Sequence, residues 1–81
     1  MKRYNVEIML RKMKELNMNK VQFASYCGVN VYNINQVIYQ KNMDCYRCAL
    51  IVEKLGCSFE TFITEEFKSY IRKSIKRSRT K

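Results

Sequence analysis

Cysteine is the residue type in this chain with the most chemistry to offer. Cys45 and Cys48 stand in a C-x-x-C, with Cys27 and Cys57 elsewhere, a spacing that suits a zinc site or a redox pair. Four metal ligands would need a second such pair or histidines, and the chain has neither. Cys27, Cys48 and Cys57 also fall where the helical pattern asks for a small apolar core residue, which is how a free cysteine packs. The expectation is buried thiols, no metal and no cofactor. Catalysis lacks its parts as well. The seven carboxylates are scattered over surface positions, histidine is absent, and no glycine-rich phosphate loop is present. Nothing here assembles a nucleophile, a base and an oxyanion site, so an enzyme is not expected.

Charge points to a binding role. Sixteen Lys and Arg against seven Asp and Glu leave a net charge of +9, more of one sign than solubility requires, which predicts an anionic partner. Eighty-one residues suffice for one domain with one small core. With no proline and only two glycines, and with abundant Lys, Met, Leu and Ile, the fold class reads as all-α. The N-terminus, MKRYNVEIMLRKMK, is interrupted by charges throughout, unlike a signal peptide. No apolar run approaches the ~20 residues of a membrane span. These features predict a cytoplasmic protein with no membrane partner.

The elements that would present the binding residues are organised around Asn19 to Gln40. Phe23, Ala24 and Cys27 share one helical face, and Ile34, Val37 and Ile38 share another. Gly28 lies between them, where a helix end needs a left-handed residue. Asn19 and Asn30 supply N-cap side chains to the helices that follow. The pattern is a helix-turn-helix spanning 20–39, a device that presents its second helix, 31–39, to a major groove. Upstream, Val6, Met9, Leu10, Met13 and Leu16 predict a first helix over about Tyr4 to Leu16, stopped by Asn17. Downstream, Asp44 should cap a fourth helix with Cys45, Cys48, Ile51, Val52 and Leu55 inward. Leu55-Gly56 should stop it, and Ser58 should cap a short fifth helix.

Beyond residue 63 the apolar stripe continues through Phe67, Tyr70, Ile71 and Ile75. Thr64, followed by Glu65 and Glu66, either caps a separate sixth helix or lies within an extended fifth. Lys68 to Lys81 carries seven basic residues and no acid, and the last four residues, SRTK, read as a frayed end. The organisation is thus a DNA-binding unit over 1–63 and a basic amphipathic segment over 64–81. So long an apolar face must pack on its own domain, on a second subunit or on a partner protein. A basic amphipathic helix can also meet an acidic partner or a membrane surface.

Phe23-Ala24, Gly28-Val29, Ile34 and Val37 stand at the spacing of the Cro and phage-repressor type of helix-turn-helix, the XRE-like family, which this chain resembles. LRKMKELNM (Leu10 to Met18) resembles that family's first helix, and CALIVEKLGCSFETF (Cys48 to Phe62) its fourth and fifth. The likeness covers Val6 to Ile63. It implies a five-helix repressor-like fold, here with an extended or additional C-terminal helix, and a transcriptional regulator, more readily a repressor, that binds double-stranded DNA as a homodimer. Family members often carry a proline near Met43, which this chain lacks.

By the same resemblance the base-contacting positions are Val31, Tyr32, Asn33, Asn35 and Gln36. Ile34 and Val37 face inward, which leaves the other side outward. Asn and Gln can pair two hydrogen bonds with adenine, and a valine or tyrosine can meet a thymine methyl, so an A·T-containing half-site is expected. Asn19, Lys20, Lys41, Asn42, Tyr46 and Arg47 match positions that flank the phosphate backbone and orient the protein without reading sequence. Lys20 stands where the family commonly has glutamine. Phe67, Tyr70, Ile71 and Ile75 form the dimer or partner surface. The rival reading is a protein-interaction module, such as the DNA-binding antitoxin of a toxin–antitoxin pair, gripping its partner through the C-terminal helix.

Overall fold

The computed structural model describes residues 1–79, with side chains through Ser74. Its six helices are α1 (Val6–Glu15), α2 (Lys20–Cys27), α3 (Val31–Ile38), α4 (Cys45–Leu55), α5 (Phe59–Phe62) and α6 (Glu65–Arg79). The described residues contain no strand, only one antiparallel bridge, Tyr4 to Ile63. The fold is all-α.

The helix ends follow from local chemistry. Asn19 Oδ1 accepts from the Gln22 backbone N–H at 2.9 Å while Gln22 Oε1 accepts from that of Asn19 at 2.9 Å. Two donors that a helix start would orphan are thereby satisfied reciprocally. Asn30 and Asn33 do the same for α3, at 3.1 and 3.2 Å. Asp44 accepts from Arg47 N–H to start α4, and Ser58 from Thr61 N–H to start α5. Gly28 closes α2 at φ +81°, and Asn17 takes φ +54° after α1. A Cβ at Gly28 would meet nothing within 4 Å, so glycine is required there by backbone conformation and not by space.

The core is a single cluster in which Tyr4, Met9, Phe23, Ile34, Val37, Ile51 and Phe62 are fully buried. Ala24 is buried on α2, which packs against α3 and α4. The expected stripes are covered only in part. Leu10 and Leu16 remain exposed although they keep the period of Met9 and Met13, because no later element covers that side of α1. Cys45 is exposed, at the first position of α4, while Cys48 one turn on is buried.

The start of the chain departs most from expectation. Residues 3–5 are extended beside Phe62–Thr64, with Asn5 N–H donating to Phe62 O at 2.8 Å and Thr64 N–H to Arg3 O at 3.0 Å. Tyr4 therefore precedes α1. Its ring stacks on Phe62 at 5.6 Å and meets Phe67 edge-on at 6.1 Å, and its hydroxyl donates to Lys41 O at 2.9 Å. The other side of this segment is held by Gln40. Gln40 Oε1 accepts from the N–H groups of Arg3 and Tyr4 at 2.6 and 2.8 Å, and its Nε2 donates to Tyr4 O at 3.1 Å. One side chain thus does the work of a neighbouring strand.

Replacing Gln40 by Ala should lower stability by ~2–3 kcal/mol in chemical denaturation, because Tyr4 N–H loses its acceptor in the interior. Gln40 sits at φ +57°, so Gln40→Gly should lose the same bonds but recover about 1 kcal/mol of backbone strain. Equal stability of the two variants would contradict this account.

Thr64 settles how the chain continues. Its Oγ1 accepts from Phe67 N–H at 3.1 Å and donates to Lys2 O, and Ile63 is extended at φ −82°, ψ 135°. α6 is therefore a separate helix, with Glu65 and Glu66 in its first turn. Its helical backbone reaches Arg79; Thr80 and Lys81, the end of the segment expected to fray, lie outside the described residues. Phe67 packs against the core, whereas Tyr70 and Ile71 are 52% and 36% exposed. The molecule is accordingly elongated, 48 × 20 × 19 Å. None of the described helices is long and apolar enough to cross a membrane.

Candidate nucleic-acid interface

α3 turns Ile34 and Val37 into the core, both fully buried, and this sets what its other side can offer. Tyr32, Asn35 and Gln36 line a hollow of about 350 Å³ together with Tyr39, Lys41 and Asn42. Tyr32 and Tyr39 are 68% and 64% exposed, and seven residues apart they rise from one side of the helix, about two turns from each other. Carboxamides, phenol rings and a lysine thus share one concave surface.

Two of the expected base-contacting residues lie elsewhere. Asn33 is buried, at 6% exposure, not outward. It occupies the third position of α3, where its carboxamide completes the reciprocal cap with Asn30. Val31 is half-buried and packs against the core. Asn33 still shapes the surface, because its Nδ2 donates to Gln36 Oε1 at 3.0 Å while Gln36 Nε2 donates to Asn42 O at 2.6 Å. The Gln36 carboxamide is thus held at both ends. A carboxamide oxygen has two lone pairs and its nitrogen two hydrogens, so one acceptor site and one donor site remain beyond these bonds. That is the pair an adenine edge requires.

Asn35 adds a second carboxamide to the hollow. Among the described residues its Oδ1 is the one buried side-chain polar atom without a hydrogen-bond partner. An unpaired interior acceptor is costly, and a donor brought to the hollow would relieve that cost.

The expected phosphate-facing residues occupy three places. Asn19 and Lys20 are exposed at the start of α2, where Asn19 is committed to its cap. Lys41 and Asn42 are exposed in the connection after α3, at the rim of the hollow. Tyr46 is exposed on the first turn of α4, with the half-buried Arg47 guanidinium 5.9 Å from its ring centroid. The structure brings Lys41 and Asn42 to the hollow, and leaves Asn19, Lys20, Tyr46 and Arg47 outside it. Tyr39, which the sequence marks only as a helix end, also lines the hollow; its seven-residue spacing from Tyr32 is the signal for it.

The C-terminal group divides similarly. Phe67 is half-buried, with the Arg3 guanidinium 4.9 Å from its ring centroid and Tyr70 stacked at 6.4 Å. Tyr70 and Ile71 line an apolar groove of about 430 Å³ against Met43, Cys45 and Phe59. The side chain of Ile75 lies outside the described residues.

The thiols separate by burial. Among the described residues no group of three Cys, Asp or Glu is placed to hold a metal ion. Burial pushes the Cys27 and Cys48 thiols up to about 11, so thiolate is scarce at neutral pH. Exposed Cys45 should therefore alkylate first in the folded protein, with Cys27 and Cys48 protected until unfolding. Mass-spectrometric mapping checks this, and Cys45→Ser should remove the fast phase.

No protein-family model, curated protein or solved structure matches this chain.

Proposed function

We propose that this chain is a sequence-specific double-stranded DNA-binding transcriptional regulator, acting as a repressor and reading the major groove with α3. The observation that carries the proposal is the hollow on the outer side of α3, where Tyr32, Asn35 and Gln36 meet beside Lys41. Its chemistry is that of base-edge recognition: carboxamides for adenine, rings for the thymine methyl. The +9 charge supplies sequence-independent attraction to phosphate, and Lys20, Lys41 and Arg47 are its candidate phosphate contacts. The reciprocal caps at Asn19 and Asn30, the left-handed Gly28 and the buried Ala24 support a helix-turn-helix of the Cro and phage-repressor type. A homodimer on a pseudo-palindromic site doubles the small contact area of one domain.

Selection of binding sites from a random duplex library, at two salt concentrations, tests this. A two-fold symmetric, A·T-containing site should be enriched. Gln36→Ala and Tyr32→Ala should each weaken binding to it by ~10- to 100-fold, with the helical content unchanged. Salt-sensitive binding with no enriched site would overturn sequence-specific regulation. The exposed Tyr70 and Ile71 beside an apolar groove favour a second reading, the DNA-binding antitoxin of a toxin–antitoxin pair. That reading requires a co-purifying protein bound through α6.

A further inference from the structure

α6 carries an apolar side that its own domain covers only at the start. Phe67 reaches the core, and Tyr70, Ile71 and Ser74 follow it along the helix toward solvent, all four lining the groove against Met43, Cys45 and Phe59. The exposure of Tyr70 and Ile71, 52% and 36%, lies on a helix of fifteen residues, about 22 Å long. What distinguishes the candidate occupants is the order of charge along that helix. Glu65 and Glu66 open it, Arg72 and Lys73 lie two turns on, and no acid follows Glu66.

Glu66 and Lys73 are seven residues apart and so stand on the same flank of the stripe. When two copies of a helix pack antiparallel about a two-fold axis, each flank meets its own copy with the direction reversed. Glu66 then faces the partner's Lys73, and Lys73 the partner's Glu66. In that register Tyr70 lies next to the axis, and Phe67 falls between the levels of the partner's Ile71 and the partner's Ser74. The apolar stripe interdigitates and both charge pairs form at once. In a parallel pair each flank meets the opposite flank of the partner, so Glu66 and Lys73 are not brought together. A wholly acidic partner would suit Arg72 and Lys73 but not the acidic first turn. The macrodipoles of two antiparallel helices also oppose each other favourably.

We infer that α6 is a self-association helix whose occupant is the α6 of a second copy, packed antiparallel about a two-fold axis near Tyr70 with Glu66 against the partner's Lys73. This deepens the homodimer of the proposed function, but it stands on α6 alone and is tested without DNA. Glu66 Oε1 already accepts from Lys2 backbone N–H at 3.2 Å, which holds the carboxylate on this flank.

The test is sedimentation equilibrium of the full chain, free of nucleic acid, over a concentration series. The wild type should show a monomer–dimer equilibrium. Glu66→Lys and Lys73→Glu should each weaken it by about tenfold, through one like-charge contact at each end of the pair. The double variant, with the charges exchanged, should return to near the wild-type constant, which only this antiparallel register predicts. Ile71→Ser should weaken association while leaving the circular-dichroism melt of the monomer within a few degrees of wild type. A chain monomeric at every concentration overturns the inference, as does a dimer indifferent to the charge reversals or one that the double variant fails to restore. Specific DNA binding by such a monomer would leave the regulator reading standing. Dimerisation without any selected site would overturn that reading and not this one.

Discussion

Replacing Tyr4 by Ala should lower stability by ~3–5 kcal/mol, the usual cost of removing a buried aromatic side chain. Tyr4 is 1% exposed and among the largest fully buried side chains of the core. Its ring bridges Phe62 and Phe67, and its hydroxyl reaches Lys41 O. One residue thus joins the start of the chain to the α3–α4 connection and to α6. For a domain of this size the melting temperature should fall by more than ~12 °C, measured by circular dichroism. A fall of a degree or two would show that Tyr4 is not structural cement.

The conservative variant separates the ring from the hydroxyl. Tyr4→Phe keeps the stacking and should cost about 1 kcal/mol at neutral pH, the net value of one hydrogen bond. It should also change the alkaline limb of the stability curve. Burial pushes the Tyr4 phenol from 10.0 up to about 12. Below pH 10 the phenol is protonated in both states and has no effect. Between 10 and 12 the unfolded chain loses the proton first, so stability falls, by ~2.7 kcal/mol in all for two pH units. Cys27 and Cys48, raised from 9.0 to about 11 by burial, act in the same direction from pH 9. The wild type should therefore lose stability from pH 9 to 12. Tyr4→Phe should lose it only over the cysteine range, in denaturant titrations across that window.

The second large effect concerns DNA. If Lys20, Lys41 and Arg47 neutralise phosphates in each subunit of a dimer, about six counterions leave on binding. The logarithm of affinity then falls with the logarithm of salt with a slope near −5. Between 50 and 200 mM salt that amounts to about a thousandfold loss, readable by fluorescence anisotropy on a selected duplex. Lys41→Ala should reduce the slope by about two in the dimer and weaken all sequences alike. A variant that changes site preference and leaves the slope unaltered would move Lys41 from positioning to reading.

What the sequence determined by itself is local. Asn19, Asn30, Asp44 and Ser58 start helices, and Gly28, Gly56 and Asn17 end them, because a cap needs only a side chain within three residues or a backbone able to turn left-handed. Ile34 and Val37 are inward by period alone, which already places Tyr32 and Gln36 on the opposite side of α3. Periodicity reaches no further. Leu10 and Leu16 keep the stripe of α1 and are exposed, and Cys45 keeps that of α4 and is exposed. Whether such a position is covered depends on an element distant in sequence.

Tertiary structure alone decided the position of Tyr4, whose partners Gln40, Lys41, Phe62 and Phe67 are 36 or more residues away. It likewise decided that Gln40 pairs with residues 3 and 4, 36 or 37 positions away. Helix starts and stops are set by short-range hydrogen bonds and dihedral preference, which the residue order states directly. Burial, and with it the hollow on α3 and the uncovered side of α6, is a property of surfaces brought together by the whole chain.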